Sequence, residues 1–181
     1  MFDFSKNYFE LFGMPADFLL DASELAARYR ELQKVVHPDR FATSGEHSQR
    51  ISLQSATMVN EAYESLKDPL KRAQYLLGLK GIELDAKQRS LNDPAFLLEQ
   101  MELREALAEV RHAADPQNEL DRLLQQIGQM IKTQVALLAV QFEDSSPAQL
   151  AAAAQTVQKM QFLNKLHAEA ESIDAELEDS Y

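Results

Sequence analysis

The sequence predicts an all-α protein built from two helical regions. Apolar residues recur at steps of three and four along the chain, and no segment alternates as a half-buried strand does. An acidic residue or serine before proline, the usual signal for a helix start, occurs at Asp68-Pro69, Asp93-Pro94, Asp115-Pro116 and Ser146-Pro147. Charge also divides the chain, because residues 1–80 carry a net charge of −1 and residues 81–181 carry −10.

The composition excludes several classes of function. A net charge of −11 over 181 residues is unsuited to nucleic acid or anionic lipid, which are bound by clustered Lys and Arg. The chain has no cysteine, which excludes disulfides, thiolate metal sites and cysteine nucleophiles. Its 5 glycines form no phosphate-binding loop. We therefore expect no cofactor, no metal site, and neither a nucleic acid nor a membrane as partner.

The expected location is the cytoplasm. The first residues lack the basic stretch and apolar run of a secretory leader. The longest aliphatic run, residues 135–140, is far shorter than the ~20 residues that a membrane span needs. These features predict a soluble protein.

Three helices are predicted in the first region. Asp21 and Glu24 resemble a capping box at the start of one helix. The apolar face of that helix consists of Leu25, Tyr29, Leu32 and Val36. Pro38 ends it, because proline lacks an N–H and restricts the residue before it. A second helix spans roughly residues 48–67, and a third begins at Asp68-Pro69.

The boundary between the two regions is predicted at Gly78 and Gly81, where the charge changes. The third helix is expected to end at Gly78. The predicted organisation is therefore a first domain over residues 1–78, a linker over 79–84 and a second domain over 85–181. Because its three amphipathic helices have short connections, the second domain is predicted to be an antiparallel three-helix bundle.

The tripeptide His37-Pro38-Asp39 directly follows the first long helix. A histidine can close a helix by meeting its last carbonyls, and Pro-Asp is common in turns, so the tripeptide alone is weak evidence of function. Its surroundings are more specific. The stretch from His37 to Phe41 follows a basic amphipathic helix and precedes residues 60–69, Arg72 and Tyr75.

This pattern covers residues 6–78, includes residues 8–13 as a first helix, and resembles the J-domain, the module by which co-chaperones engage DnaK-type ATPases. The resemblance implies a helical hairpin with flanking short helices and no active site of its own. It also implies that the ATPase is bound by His37, Pro38, Asp39, Arg28, Arg30 and Lys34. For the three cations a solvated helix face is the alternative, because rim charges often contribute little.

The helix predicted from Pro94 to about Arg111 has two apolar faces. Its core stripe consists of Phe96, Leu103, Leu107 and Val110. The other side carries Leu97, Leu98 and Met101, with Glu102, Glu105 and Glu109 along or beside it. One stripe suffices for packing in a bundle, so a second patch indicates another contact. The pattern alone leaves open whether this contact is a partner protein or another part of the chain.

The whole chain resembles the HscB family, the J-type co-chaperones of bacterial iron–sulfur cluster assembly. The matching stretches are Tyr75-Leu76-Leu77, residues 95–105 (AFLLEQMELRE) and Phe162-Leu163-Asn164-Lys165-Leu166. The resemblance implies that the second domain binds the cluster scaffold IscU, and that the J-domain stimulates the ATPase HscA and delivers IscU to it. Carried over by position, the scaffold-binding residues are Leu97, Leu98, Met101, Glu102, Glu105, Glu109 and Phe162. Core packing is the alternative for Phe162.

Three other functions are alternatives. The first is a J-domain co-chaperone of a general DnaK-type chaperone with a different client, which would be expected to carry a Gly/Phe-rich linker or zinc-binding cysteines; the sequence has neither. The second is an enzyme using His37 and Asp39, but no histidine pair has metal-ligand spacing. The third is a passive coiled-coil scaffold, which would leave the His-Pro-Asp loop without a role.

Overall fold

The computed structural model describes residues 2–37, 45–84 and 93–178, and all regular elements within these ranges are helices. They are α1 (Tyr8–Phe12), α2 (Ala22–Val36), α3 (Glu46–Lys67), α4 (Pro69–Leu79), α5 (Pro94–Glu109), α6 (Pro116–Glu143) and α7 (Pro147–Glu178), with a 3₁₀ turn over Val110–His112. The prediction of an all-α fold is confirmed. The chain divides into two compact units, Met1–Leu79 and Lys80–Tyr181.

An antiparallel hairpin of α2 and α3 forms the centre of the first unit. The pairing runs in opposite order along the two helices: the Ser52 hydroxyl bonds to the carbonyl of Val36, and Tyr29 stacks on Tyr63 with ring centroids 4.0 Å apart. The predicted stripe of α2 faces this interface, with Leu25 and Val36 fully buried. From α3 the interface receives the predicted Ala56, Val59, Ala62 and Leu66.

Local hydrogen bonds cap the short helix α1 at both ends, and its first residue, Tyr8, also contacts α4. The Asn7 side chain accepts from the backbone N–H of Glu10, and the Glu10 carboxylate accepts from that of Asn7. This reciprocal capping box was not among the predicted helix starts, although Asn7 and Glu10 have its spacing. The Tyr8 N–H donates to the Tyr75 hydroxyl at 2.9 Å, and their rings stack at 4.3 Å.

The capping box predicted at the start of α2 is only half present. The Asp21 carboxylate accepts from the N–H groups of Ser23 and Glu24, as an N-cap should. The carboxylate of Glu24, however, accepts two bonds from the Arg28 guanidinium, at 2.7 and 3.0 Å. A charged partner one turn along the helix competes successfully with the neutral backbone N–H, because charge-assisted hydrogen bonds are stronger.

The end of α4 also differs from the prediction, because this helix continues through Gly78 to Leu79. Of the two glycines at this boundary, Gly81 adopts the left-handed conformation, with φ of 75°. Residue 79 of the predicted linker is therefore helical. Residues 85–92, where the second domain was expected to begin, lie outside the described residues.

The second unit is an up-down-up arrangement of α5, α6 and α7. Side chains of Asp93 and Asp115 cap α5 and α6, as the Asp-Pro signals predict. Helices α5 and α7 run in the same direction, because Asp93 pairs with Lys159 and Arg111 with Glu176. The core between the three helices consists of Leu103, Leu107, Val110, Leu120, Leu123, Ile127, Leu163, Leu166 and Ala170.

Arg72 joins the end of α3 to the first unit's core. Its Nη1 donates to the carbonyl of Leu66 at 2.6 Å, and its guanidinium lies over the Phe18 ring, 5.0 Å from the centroid. Burial lowers the pKa of Arg72, and the Asp68 carboxylate partly opposes this shift. The side chain therefore satisfies a carbonyl in the last turn of α3 that the helix itself leaves without a donor.

We predict that Arg72→Ala lowers the free energy of unfolding of the first unit by about 2 kcal/mol, since it removes a charged hydrogen bond and a cation–π contact. The neighbouring Lys71→Ala is the control, because the Lys71 side chain is exposed. Thermal unfolding followed by circular dichroism measures both. Equal melting temperatures for the two variants would contradict the assigned role of Arg72.

Candidate functional site

The first candidate surface lies at the carboxyl end of α2. His37 is the C-cap residue, exposed, with φ −57° and ψ 127°. This extended backbone is the one that proline imposes on the residue before it. Pro38 and Asp39 lie outside the described residues, so their predicted role in binding the ATPase stays a prediction.

The three predicted cations of α2 do not share one face. At about 100° per residue, Arg30, Lys34 and His37 fall within about 60° of each other, on the side away from the hairpin core. Arg30 and Lys34 are exposed. The Lys34 ammonium pairs with the Glu31 carboxylate at 2.7 Å, and this hydrogen bond and charge lower the pKa of Glu31.

Arg28 faces α1. Its Nη1 donates to the carbonyl of Phe12 at 2.8 Å, and the rest of its guanidinium binds Glu24. The guanidinium thus links the end of α1 to α2. It lies about 160° around the helix from Arg30. The geometry therefore supports Arg30 and Lys34 as a pair beside His37, and gives Arg28 a structural task.

The second candidate surface is the outward side of α5. The predicted core stripe is buried, with Phe96, Leu103 and Leu107 each 4% exposed or less. On the opposite side Leu98 is 58% and Met101 67% exposed, whereas Leu97 is half-buried. The carboxylates predicted along or beside this side, Glu102, Glu105 and Glu109, are all exposed. The structure thus brings an apolar pair and an acidic border together on one helix face.

Phe162 of α7 lies next to α5 and is half-buried. Its ring meets the Phe96 ring edge-on, with centroids 5.8 Å apart, and the Arg104 guanidinium lies 5.4 Å from its centroid. Phe162 thus combines packing against the bundle with a partly open ring. Sequence reasoning missed Arg104, although its spacing of seven residues from Leu97 places it along the same line of α5.

A salt bridge also joins the amino-terminal end of α5 to α7. The Lys159 ammonium lies 2.8 Å from the Asp93 carboxylate and 5.0 Å from the centroid of the Phe96 ring. The hydrogen bond from Lys159, together with the backbone N–H of Phe96, lowers the pKa of Asp93. These bonds tie the start of α5 to α7 and so fix the register of the candidate surface.

Neither membrane-spanning helices nor metal sites are found in the described parts of the chain. No helix in residues 2–37, 45–84 and 93–178 is both long and apolar enough to cross a membrane. Within the same ranges, no three His, Cys, Asp or Glu side chains cluster closely enough to hold a metal ion.

Comparison with known families and proteins assigns both units. Residues 7–75 match the DnaJ domain, and residues 92–171 match the HSCB C-terminal oligomerisation domain. A co-chaperone protein HscB homolog from Vibrio cholerae is 46% identical over 171 residues, which cover 94% of this chain and 98% of the relative.

Comparison with solved structures identifies the same family. Chaperone HscB from Vibrio cholerae matches with a TM-score of 0.83 and 44% identity, covering 95% of this chain and 99% of that one. Human co-chaperone protein HscB matches with a TM-score of 0.85 and 30% identity, covering 93% and 82%. The first unit is therefore a J-domain of the kind that serves DnaK-type chaperones, and the chain belongs to the HscB family of co-chaperones.

Proposed function

We propose that this co-chaperone binds the iron–sulfur cluster scaffold IscU through its second unit and presents it to the DnaK-like ATPase HscA, whose ATP hydrolysis its J-domain stimulates. Membership of the HscB family supports this assignment. The observation that carries it is the exposure of Leu98 and Met101 on the side of α5 opposite the core stripe. The proposed role is that of an adaptor, not an enzyme, and its proposed location is the cytoplasm.

The outward side of α5 has the composition of a protein-binding surface. Two large apolar side chains can be desolvated at the centre of a contact, where binding energy concentrates. Glu102, Glu105 and Glu109 follow them along the same side of α5 and stay hydrated at the rim. We propose that Leu97 and Phe162, both half-buried, extend the apolar centre towards α7.

The acidic rim favours a scaffold with a basic edge. Complementary charges steer encounter and reject like-charged partners, more than they add to affinity. Arg104 introduces one cation beside Phe162. We therefore expect the partner to have a carboxylate or an aromatic ring at the point that faces Arg104. Because these charges are exposed, association should slow as the salt concentration rises.

The J-domain side is proposed to act through binding alone. A co-chaperone accelerates hydrolysis when it binds the hydrolysis-competent state of the ATPase more tightly than the other states. We propose that His37, Pro38 and Asp39 make this discriminating contact. Lys34 and Arg30, about one and two turns before the loop, attract the acidic surface of the ATPase. Arg28, which is committed to Phe12 and Glu24, is expected to contribute through the fold.

Holding both partners on one chain explains why an adaptor is useful. When the scaffold and the ATPase are bound to the same molecule, the second encounter becomes intramolecular, at an effective concentration set by the connecting segment. A client other than IscU is the alternative. It would keep the J-domain activity and lose any dependence on the scaffold.

We predict that His37→Gln abolishes stimulation of HscA, because glutamine cannot reproduce the imidazole at the proposed contact. His47→Gln is the matched control, since His47 is an exposed histidine on α3. Steady-state ATP hydrolysis by HscA measures both variants over a range of co-chaperone concentrations. Full stimulation by a folded His37→Gln variant would remove His37 from the proposed site.

We predict that the double variant Leu98→Ala/Met101→Ala weakens binding of IscU by at least about 30-fold, since each truncation at an interface centre costs more than 1 kcal/mol. Leu137→Ala/Val140→Ala is the control on α6, where the two side chains are 43% and 60% exposed. Isothermal titration calorimetry with purified IscU gives both dissociation constants.

The comparison of these two double variants shows whether the loss of binding is specific to the α5 surface or follows from truncating any exposed apolar pair. A loss confined to the α5 variant supports the proposal. Equal dissociation constants for wild type and the α5 variant would show that the scaffold binds elsewhere. Circular dichroism of both variants confirms that neither loss follows from unfolding.

A further inference from the structure

A buried serine contacts the backbone directly before the His37 loop. Ser52 lies in the second turn of α3 and is only 3% exposed. Its hydroxyl donates to the carbonyl oxygen of Val36, the last residue of α2, at 2.8 Å. The carbonyls in the last turn of a helix have no donor within the helix, so this bond satisfies a group that would otherwise be buried without a partner.

The bond constrains His37 through geometry. The carbonyl of Val36 belongs to the peptide unit that leads into His37, and peptide units are planar. A donor fixed in α3 therefore sets the orientation of this plane. On the other side, Pro38 restricts His37 to extended backbone, and its ψ of 127° agrees. Ser52 thus holds the peptide plane that leads into His37, and Pro38 restricts the backbone torsions of His37 itself.

We infer that Ser52 is a positioning residue for His37: it holds the first residue of the loop in the orientation that the ATPase recognises. This inference rests on the proposed function, in which His37 contacts the ATPase. Ser52 itself is buried and touches no partner. Without its hydroxyl, the Val36–His37 peptide plane samples more orientations, and the fraction of molecules ready to dock falls. Apparent affinity falls by the same fraction, while the complex, once formed, is unchanged.

Ser55 provides a matched control within the same helix. It is 2% exposed, and its hydroxyl donates to the carbonyl of Ile51 at 2.8 Å. The two serines thus have the same residue type, helix and burial. They differ in what they bond: Ser55 stays within α3, whereas Ser52 crosses to the end of α2.

The test is a titration of HscA with full-length Ser52→Ala and Ser55→Ala, followed by steady-state ATP hydrolysis at a temperature well below both melting points. We expect Ser52→Ala to raise the half-saturating concentration about five-fold, the effect of one ordinary hydrogen bond, and to leave maximal stimulation unchanged. Ser55→Ala should leave both quantities at the wild-type values. Hydrogen exchange at the His37 amide should quicken in Ser52→Ala alone.

A half-saturating concentration for Ser52→Ala equal to that of wild type, or raised equally in Ser55→Ala, would overturn the positioning role. If Ser52→Ala melts below the assay temperature, Ser52→Cys replaces it. Its thiol is a weak donor, and we expect a smaller rise in the same direction. Failure of the proposed function would be recognised separately, because wild type itself would then not stimulate HscA.

Discussion

Burial of one apolar face on each long helix is the constraint on which both units depend. The chain has no cysteine, so no disulfide can replace a core, and each unit is held by side chains packed between helices. A fully buried Leu or Phe contributes about 1.5–3 kcal/mol. Once Phe96, Leu103 and Leu107 face inward, α5 has no rotation left that could also bury Leu98. Packing the core thus determines which apolar side chains of α5 remain exposed.

The same constraint orders the first unit. Closing α2 on α3 buries Leu25 and Val36, and so brings the end of α2 against Ser52. Arg30 and Lys34 then lie on the outer side of α2, next to His37. Arg28, on the flank that faces α1, is drawn into bonds with Phe12 and Glu24. The role of a cation on α2 therefore depends on the helix face that carries it as well as on its residue type.

Periodicity and proline signals were enough to predict the helices α2 to α7 and most of the core from the sequence, because an amphipathic stripe and an Asp-Pro start are local properties; the short helix α1 was expected only from the J-domain resemblance. The exposed patch at Leu98 and Met101 could be predicted for the same reason. Contacts between distant segments could not. Nothing near Ser52 indicates its bond to Val36, 16 residues away, and nothing near Arg28 indicates Phe12. The prediction that α4 ends at Gly78 was wrong, because glycine near a helix end can also continue the helix.

The central claim is that one chain couples a scaffold to an ATPase. Steady-state ATP hydrolysis by HscA, measured with the wild-type protein, with IscU, and with both together, tests it most directly. The account predicts that the rate with both exceeds the sum of the two separate stimulations. A rate with both that equals this sum would contradict the coupling, and would leave a J-domain co-chaperone whose client is another protein.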